Sequence, residues 1–223
     1  MTLKLFFSAI SKFLLGLILV GTLVFLPAGT FKFFNGWLLI VILFVPMFVA
    51  GIVMMIKNPS LLKKRLEAKE TRKEQDVVVK LSGLMFICGF VVAGLDFRFG
   101  WLELPPWVSY AFSALLIVAY ILYAEVLREN TYLSRTIEIQ ENQKVIDTGL
   151  YGIVRHPMYF ATLILFLSIP FVLGSLFSLI AFIFYPIIIA KRIKNEEELL
   201  EKSLPGYSEY MQKVKCRLIP FVW

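Results

Sequence analysis

A series of long, nearly uncharged apolar runs constrains this chain more than any other feature. A helix that crosses a membrane takes about 20 mostly apolar residues. Four stretches qualify, roughly Lys12 to Ala28, Phe33 to Ile56, Leu81 to Phe99 and Pro106 to Leu127. Two shorter ones follow, Tyr159 to Val172 and Ser175 to Ala190, interrupted by Pro170, Gly174 and Pro186. These two read as a helical hairpin whose tip lies at Leu173 to Ser175. Hydrophobic residues make up 59% of the chain, against roughly 45–50% in a soluble domain, so lipid is its natural solvent. The expected fold is all-α and integral to the membrane, with about six transmembrane helices.

Six passes return the chain to the side on which it started, and the charges test that parity. Of the 23 Lys and Arg residues, only Lys32 and Arg98 fall at the outer surface if the N-terminus is cytoplasmic, as the positive-inside rule requires. Trp37, Trp101 and Trp107 then anchor helices at the opposite surface. The expectation is a multi-pass protein with both termini cytoplasmic. Its net charge of +7 is concentrated beside the spans, above all in Lys57 to Lys80. Attraction to anionic headgroups explains that placement, and no basic groove with interleaved aromatics points to nucleic acid. Cys88 falls inside a span and Cys216 near the cytoplasmic C-terminus, so no disulfide is expected. The basic, apolar N-terminus lacks a small-residue cleavage site at Phe25-Leu26-Pro27-Ala28-Gly29 and reads as a retained anchor.

The organisation is a four-helix membrane region, 1–127, followed by a C-terminal core, 128–223, the two forming one structural domain. Three cytoplasmic excursions punctuate it. The first, Lys57 to Lys80, places Leu61, Leu62 and Leu66 at helical spacing, and reads either as an interfacial amphipathic helix or as a solvated basic linker. The second, Arg128 to His156, alternates through Thr136-Ile137-Glu138-Ile139-Gln140 and Lys144-Val145-Ile146-Asp147-Thr148-Gly149, the pattern of a small cytoplasmic β-hairpin. The third, Lys191 to Trp223, carries a helix out of the membrane to a break at Leu204-Pro205-Gly206, then a short helix and an apolar tail.

One histidine, His156, excludes multi-histidine metal sites and His-Glu-x-x-His proteases. Neither a Walker loop, a Gly-x-Ser-x-Gly elbow nor a Gly-x-Gly-x-x-Gly fingerprint is present. Polar density gathers in two places. One is Gly149 to Tyr159, where Pro157 suits the first turn of a helix and puts Arg155 and His156 at its N-terminus, a position that favours an anion. The alternative is that Arg155 anchors lipid phosphate and His156 caps the helix. The other is Lys191 to Glu201, where Glu196, Glu197 and Glu198 crowd a helix end that the dipole makes unfavourable for them. There the alternative is a solvated face with Arg192–Glu196 and Lys194–Glu198 pairs. A hairpin brings both places to one surface.

Those residues carry a resemblance. Tyr151-x-x-Val154-Arg155-His156-Pro157-Met158-Tyr159, then Glu197-Glu198-x-Leu200, then Pro205-Gly206-Tyr207-Ser208-Glu209-Tyr210 running into Arg217-Leu218-Ile219-Pro220, are similar to the superfamily of isoprenylcysteine carboxyl methyltransferases and phospholipid methyltransferases. The likeness covers roughly Arg128 to Trp223; Leu150 stands where family members often have Pro, and Ala161 where they often have Gly. The resemblance implies methyl transfer from S-adenosylmethionine, without a metal, to a lipid or lipidated acceptor arriving through the bilayer. By the same analogy Tyr151, Val154, Arg155, His156, Pro157 and Tyr159 line the donor, with Glu197 or Glu198 taking ribose hydroxyls or the ammonium. Arg192 and Glu198 are the candidates beside the reacting groups; Arg128 and Asn130 read either as contacts for the acceptor's headgroup or, in the favoured reading, as ordinary helix-end and turn residues. Two rival readings remain: an NADPH-dependent sterol-type membrane reductase, whose signature overlaps this one, and a lipid-binding protein without turnover.

Overall fold

The computed structural model describes residues 3–66, 73–133 and 142–223, and of residues 73 and 74 only the backbone. Nine α-helices occur among the described residues. They are α1 (Leu3–Ala28), α2 (Phe34–Lys57), α3 (Pro59–Leu66), α4 (Lys73–Phe99), α5 (Pro106–Glu129), α6 (Pro157–Val172), α7 (Leu176–Phe182), α8 (Tyr185–Ser203) and α9 (Tyr207–Lys213). A 3-10 turn, Gly149–Gly152, precedes α6.

Five helical stretches are long and apolar enough to cross a membrane: α1, α2, Gln75–Phe99 of α4, α5, and Leu176–Ser203, which joins α7 to α8. At 16 residues α6 is apolar but shorter. Their ends follow local chemistry. Pro106 and Pro157 occupy first-turn positions, where an N–H would have no helical partner. Gly174, at φ +74°, ends the α6 arm in the left-handed conformation. Ser175 Oγ then accepts from the Ser178 N–H and starts α7. Pro186 lies at the start of α8, just past the break after Phe182.

The expected β-hairpin is not seen among the described residues. Its first arm, residues 136–140, lies outside the described residues, and its second, 144–149, contains no strand among them. Val145 packs instead against Leu204, Tyr207 and Tyr210, and Asp147 accepts a 2.7 Å hydrogen bond from Lys213 Nζ. Side-chain contact with the C-terminal helices organises this segment. Part of the first excursion forms a helix, α3, with Leu61 and Leu62 buried; residues 67–72 lie outside the described residues, and 73–80 belong to α4.

The bundle has two distinct ends. At one, Asn35 donates to Ser109 Oγ and Ser109 Oγ to the Phe171 carbonyl, tying α2, α5 and α6 together. Trp101 lies edge-on to Phe177 at the same end. At the other, Lys12 Nζ donates to the Leu66 carbonyl and Arg65 to the Tyr123 hydroxyl, drawing α1, α3 and α5 together. Between them the core stacks Phe86 and Phe90 of α4 against Phe182, and Phe166 of α6 against Tyr185 of α8. The Tyr185 hydroxyl donates to Thr162 at 2.8 Å, so α6 and α8 lie side by side.

The backbones come close at Gly94 of α4, where a Cβ would sit 2.5 Å from the Val24 carbonyl oxygen of α1. Backbone cannot swing aside as a side chain can. Gly94→Ala is therefore expected to spread α1 from α4 and lower stability by about 1–3 kcal/mol, read as an earlier thermal transition in detergent. Gly51, which has nothing within 4 Å of its would-be Cβ, should accept alanine with no such loss.

Candidate functional site

The site begins where the 3-10 turn hands the chain to α6. Gly149 takes φ +56°, and a Cβ there would fall 1.7 Å from Glu129 Oε1. The glycine lets the turn dock on the end of α5, where the Glu129 carboxylate accepts from the Leu150 N–H at 3.0 and 3.2 Å. A proline at position 150 has no N–H to give; the leucine and Glu129 belong together. Tyr151 is held from both sides, its hydroxyl accepting from Asn130 at 3.1 Å and its carbonyl from the Tyr210 hydroxyl at 2.7 Å.

Arg155 and His156 are 7% and 5% exposed, and a charge so buried needs compensation. Glu197 of α8, also buried, supplies it. Its Oε1 accepts from Arg155 Nε at 2.7 Å and lies 3.2 Å from His156 Nε2, while its Oε2 accepts from Arg217 Nε at 2.9 Å. One carboxylate thus fastens the entrance of α6, the middle of α8 and the C-terminal tail. The tail completes the fastening. Arg155 Nη1 donates to the Val214 and Lys215 carbonyls, and the Arg155 and His156 N–H groups donate to the Cys216 and Arg217 carbonyls at 3.0 and 2.9 Å. The N–H groups of Arg155 and His156, the two residues before α6, are in this way taken up by the chain itself.

Next to this clamp opens a hollow of about 840 Å³, including the solvent at its mouth. Its walls come from the 3-10 turn, the head of α6, α8, α9 and residues 143–146. Five tyrosines line it, Tyr132, Tyr151, Tyr159, Tyr207 and Tyr210. Burial pushes the pKa of Tyr151, Tyr207 and Tyr210 well up, so these three phenols remain neutral. The Tyr207 hydroxyl is buried with no hydrogen-bond partner among the described residues. The carboxylate in the wall is Glu196, which accepts from the Tyr159 hydroxyl at 2.5 Å. Tyr159 in turn accepts from Arg192 Nε at 2.9 Å and stacks on the His156 ring.

The structure brings most of the sequence-derived residues together. Tyr151, Arg155, His156, Tyr159, Arg192 and Asn130 border the hollow. Val154 and Pro157 are buried behind it. Glu197 is not in the wall; it is the centre of the clamp. Glu198 is exposed and away from the wall, because each step along a helix turns a side chain by about 100°. Arg128 is likewise exposed, and paired along its own helix with Glu125 at 2.8 and 2.5 Å. Sequence reasoning passed over Glu196 as a wall residue and Tyr207 as a site residue. The phase of α8, fixed by its buried Ile189 and Ile193, is the signal that would have singled out position 196.

Five crossing-length apolar helices and a polar hollow at one end of the bundle define an integral, multi-pass membrane protein. The sequence resemblance is borne out: residues 111–202 match the model of the Isoprenylcysteine carboxyl methyltransferase (ICMT) family. That segment runs from the first turns of α5 to the end of α8 and contains every residue of the clamp except Arg217 and the tail. The chain is also 30% identical over 91 residues to the Delta(14)-sterol reductase TM7SF2 of Mus musculus, a match covering 40% of this chain and 22% of that protein's length.

Proposed function

We propose that the chain is an S-adenosylmethionine-dependent membrane methyltransferase acting on a lipid or lipidated acceptor. The observation that carries the reading is the hollow itself, with aromatic walls, one inward carboxylate and nearby guanidinium groups, built largely from the segment that matches the family and completed by Leu204, Tyr207 and Tyr210 beyond it. That set suits the donor's parts. The phenol faces of Tyr151, Tyr207 and Tyr210 would cover an adenine and favour a nearby sulfonium. Glu196 would take ribose hydroxyls or the ammonium, in place of Glu198, and the unpartnered Tyr207 hydroxyl is left with a hydrogen bond to make. When bound, the donor supplies a methyl carbon whose bond to sulfur breaks as the acceptor's lone pair forms the new bond, leaving a neutral thioether.

The protein's own contribution is to orient, exclude water and hold charge. Arg192 and Tyr159 stand at the edge of the hollow towards the membrane helices and would orient the acceptor's reacting group. Asn130, bound to Tyr151, would meet the headgroup; Arg128, turned outward, would not. In the arrangement we favour, α6 and the α7–α8 arm act as a re-entering hairpin, the chain crosses six times, and both termini and the hollow face the cytoplasm. Residues 1–127 then support the acceptor's entrance and 128–223 hold the donor, within one domain.

The likeness to a sterol reductase gives the second reading, NADPH-dependent reduction. Calorimetry in detergent separates the two. S-adenosylmethionine or S-adenosylhomocysteine should bind and NADPH should not; the reverse result replaces methyl transfer with reduction. Transfer of labelled methyl to a lipid extract, with the product identified by mass, then names the acceptor. Tyr207→Phe adds a sharper check. Deleting an unpaired buried hydroxyl should leave thermal stability equal or higher, while donor binding weakens about tenfold, the worth of one hydrogen bond of about 1–1.5 kcal/mol. Undiminished affinity in that variant would remove Tyr207 from the donor site.

A further inference from the structure

Gln75 is a polar residue at the head of the membrane-crossing part of α4, and only 1% of it is exposed. Burying an amide among apolar helices is costly, and in a membrane segment such a residue points to function before packing. Its Oε1 lies 3.4 Å from Arg192 Nη1, on the guanidinium whose Nε donates to the Tyr159 hydroxyl. Its Nε2 has no hydrogen-bond partner among the described residues. A chain of polar contacts therefore runs from α4 through Arg192 and Tyr159 to Glu196 in the wall of the hollow. Three of these groups lie on helices within the family-matched segment, whereas α4 lies outside it.

We propose that Gln75 is a positioning residue, reaching from α4 to hold the Arg192 guanidinium against Tyr159 at the edge of the hollow, where the acceptor's reacting group arrives. A free guanidinium swings on a long side chain. One anchored at Nε by a phenol and at Nη1 by an amide keeps a fixed plane, as oriented recognition of an acceptor requires. This anchor is supplied by the N-terminal half, so two chains sharing the 111–202 pattern can still present Arg192 differently.

The test compares Gln75→Met with Gln75→Glu in the full-length protein in detergent. Methionine keeps the length and removes the acceptor oxygen; glutamate restores an oxygen at the cost of a buried charge. Labelling of Arg192 by phenylglyoxal, followed by mass spectrometry, reads the guanidinium's freedom without any turnover. Labelling should be at least threefold faster in Gln75→Met than in wild type, with Gln75→Glu close to wild type. In the methyl-transfer assay, the methionine variant should lose at least tenfold in kcat with donor affinity within twofold, and glutamate should recover much of that loss. A packing role predicts the opposite order, with methionine harmless and glutamate damaging.

Unchanged Arg192 labelling in Gln75→Met overturns the proposal. If that variant does not fold, Gln75→Glu decides: wild-type labelling sustains the proposal and faster labelling overturns it. Only the kinetic arm rests on the methyltransferase reading. A wild-type protein that transfers no methyl group defeats that reading, and the labelling arm still decides the contact.

Discussion

Glu197→Ala should be among the most damaging single substitutions in this protein. The carboxylate serves Arg155, His156 and Arg217 at once, and removing it leaves a buried guanidinium facing carbonyls alone. Breaking one side of a buried pair typically costs about 3–5 kcal/mol. A correspondingly earlier thermal transition in detergent is expected, together with loss of S-adenosylmethionine binding, because the clamp sets one wall of the hollow. Arg217→Ala should be much milder: its side chain is 41% exposed, and a half-open pair contributes about 1 kcal/mol or less. The double variant Arg155→Met with Glu197→Leu separates the two effects. Replacing the pair with apolar groups of similar size should recover much of the stability without restoring binding. A Glu197→Ala protein that melts with the wild type would show that the clamp contributes little.

Glu196→Gln should do the reverse, sparing the fold and removing affinity. An amide oxygen can still accept from Tyr159, so the contact at the head of α6 survives in form while the negative charge disappears. If that charge meets the donor's ammonium or ribose hydroxyls, the loss of a charge-assisted hydrogen bond, about 1.5–3 kcal/mol, weakens binding roughly tenfold to a hundredfold. Glu198→Gln, on the exposed side of the same helix, should leave donor affinity within about twofold, since surface substitutions usually lie within about 0.5 kcal/mol. The pair of variants turns a question of helix phase into a calorimetric measurement. Equal losses at both positions would place the hollow's carboxylate wrongly.

What the sequence made plain was decided by strong, local physics. Long apolar runs cannot do otherwise than form helices in lipid, and the crossing-length helices match the four longest runs, with the fifth extended from Ser175–Ala190 into Leu176–Ser203. Pro157 located the head of α6, and with it Arg155 and His156. What stayed hidden depended on rotation and on distance along the chain. Three consecutive glutamates look equivalent in one dimension; wound onto α8, one lines the hollow, one is buried in the clamp and one is exposed. Arg128 is paired with Glu125, three residues back, a helical spacing that the sequence itself carries. Alternating polarity at 144–149 resembled a strand, but contacts with α9 and Lys213, some 60 residues away, direct that segment. Gln75 gave no signal at all, since its partner lies 117 residues downstream.

The dependence of Arg155 on residues 214–217 also sets a timetable. Those carbonyls are synthesised 59 or more residues after the arginine they receive, an interval of roughly 3–12 s at ribosomal rates of about 5–20 residues per second. Glu197, 42 residues on, is the first of these partners to be synthesised. The clamp around Arg155 is therefore completed only once residues 214–217 have joined it. A translational stall between those two points would leave the clamp unfinished.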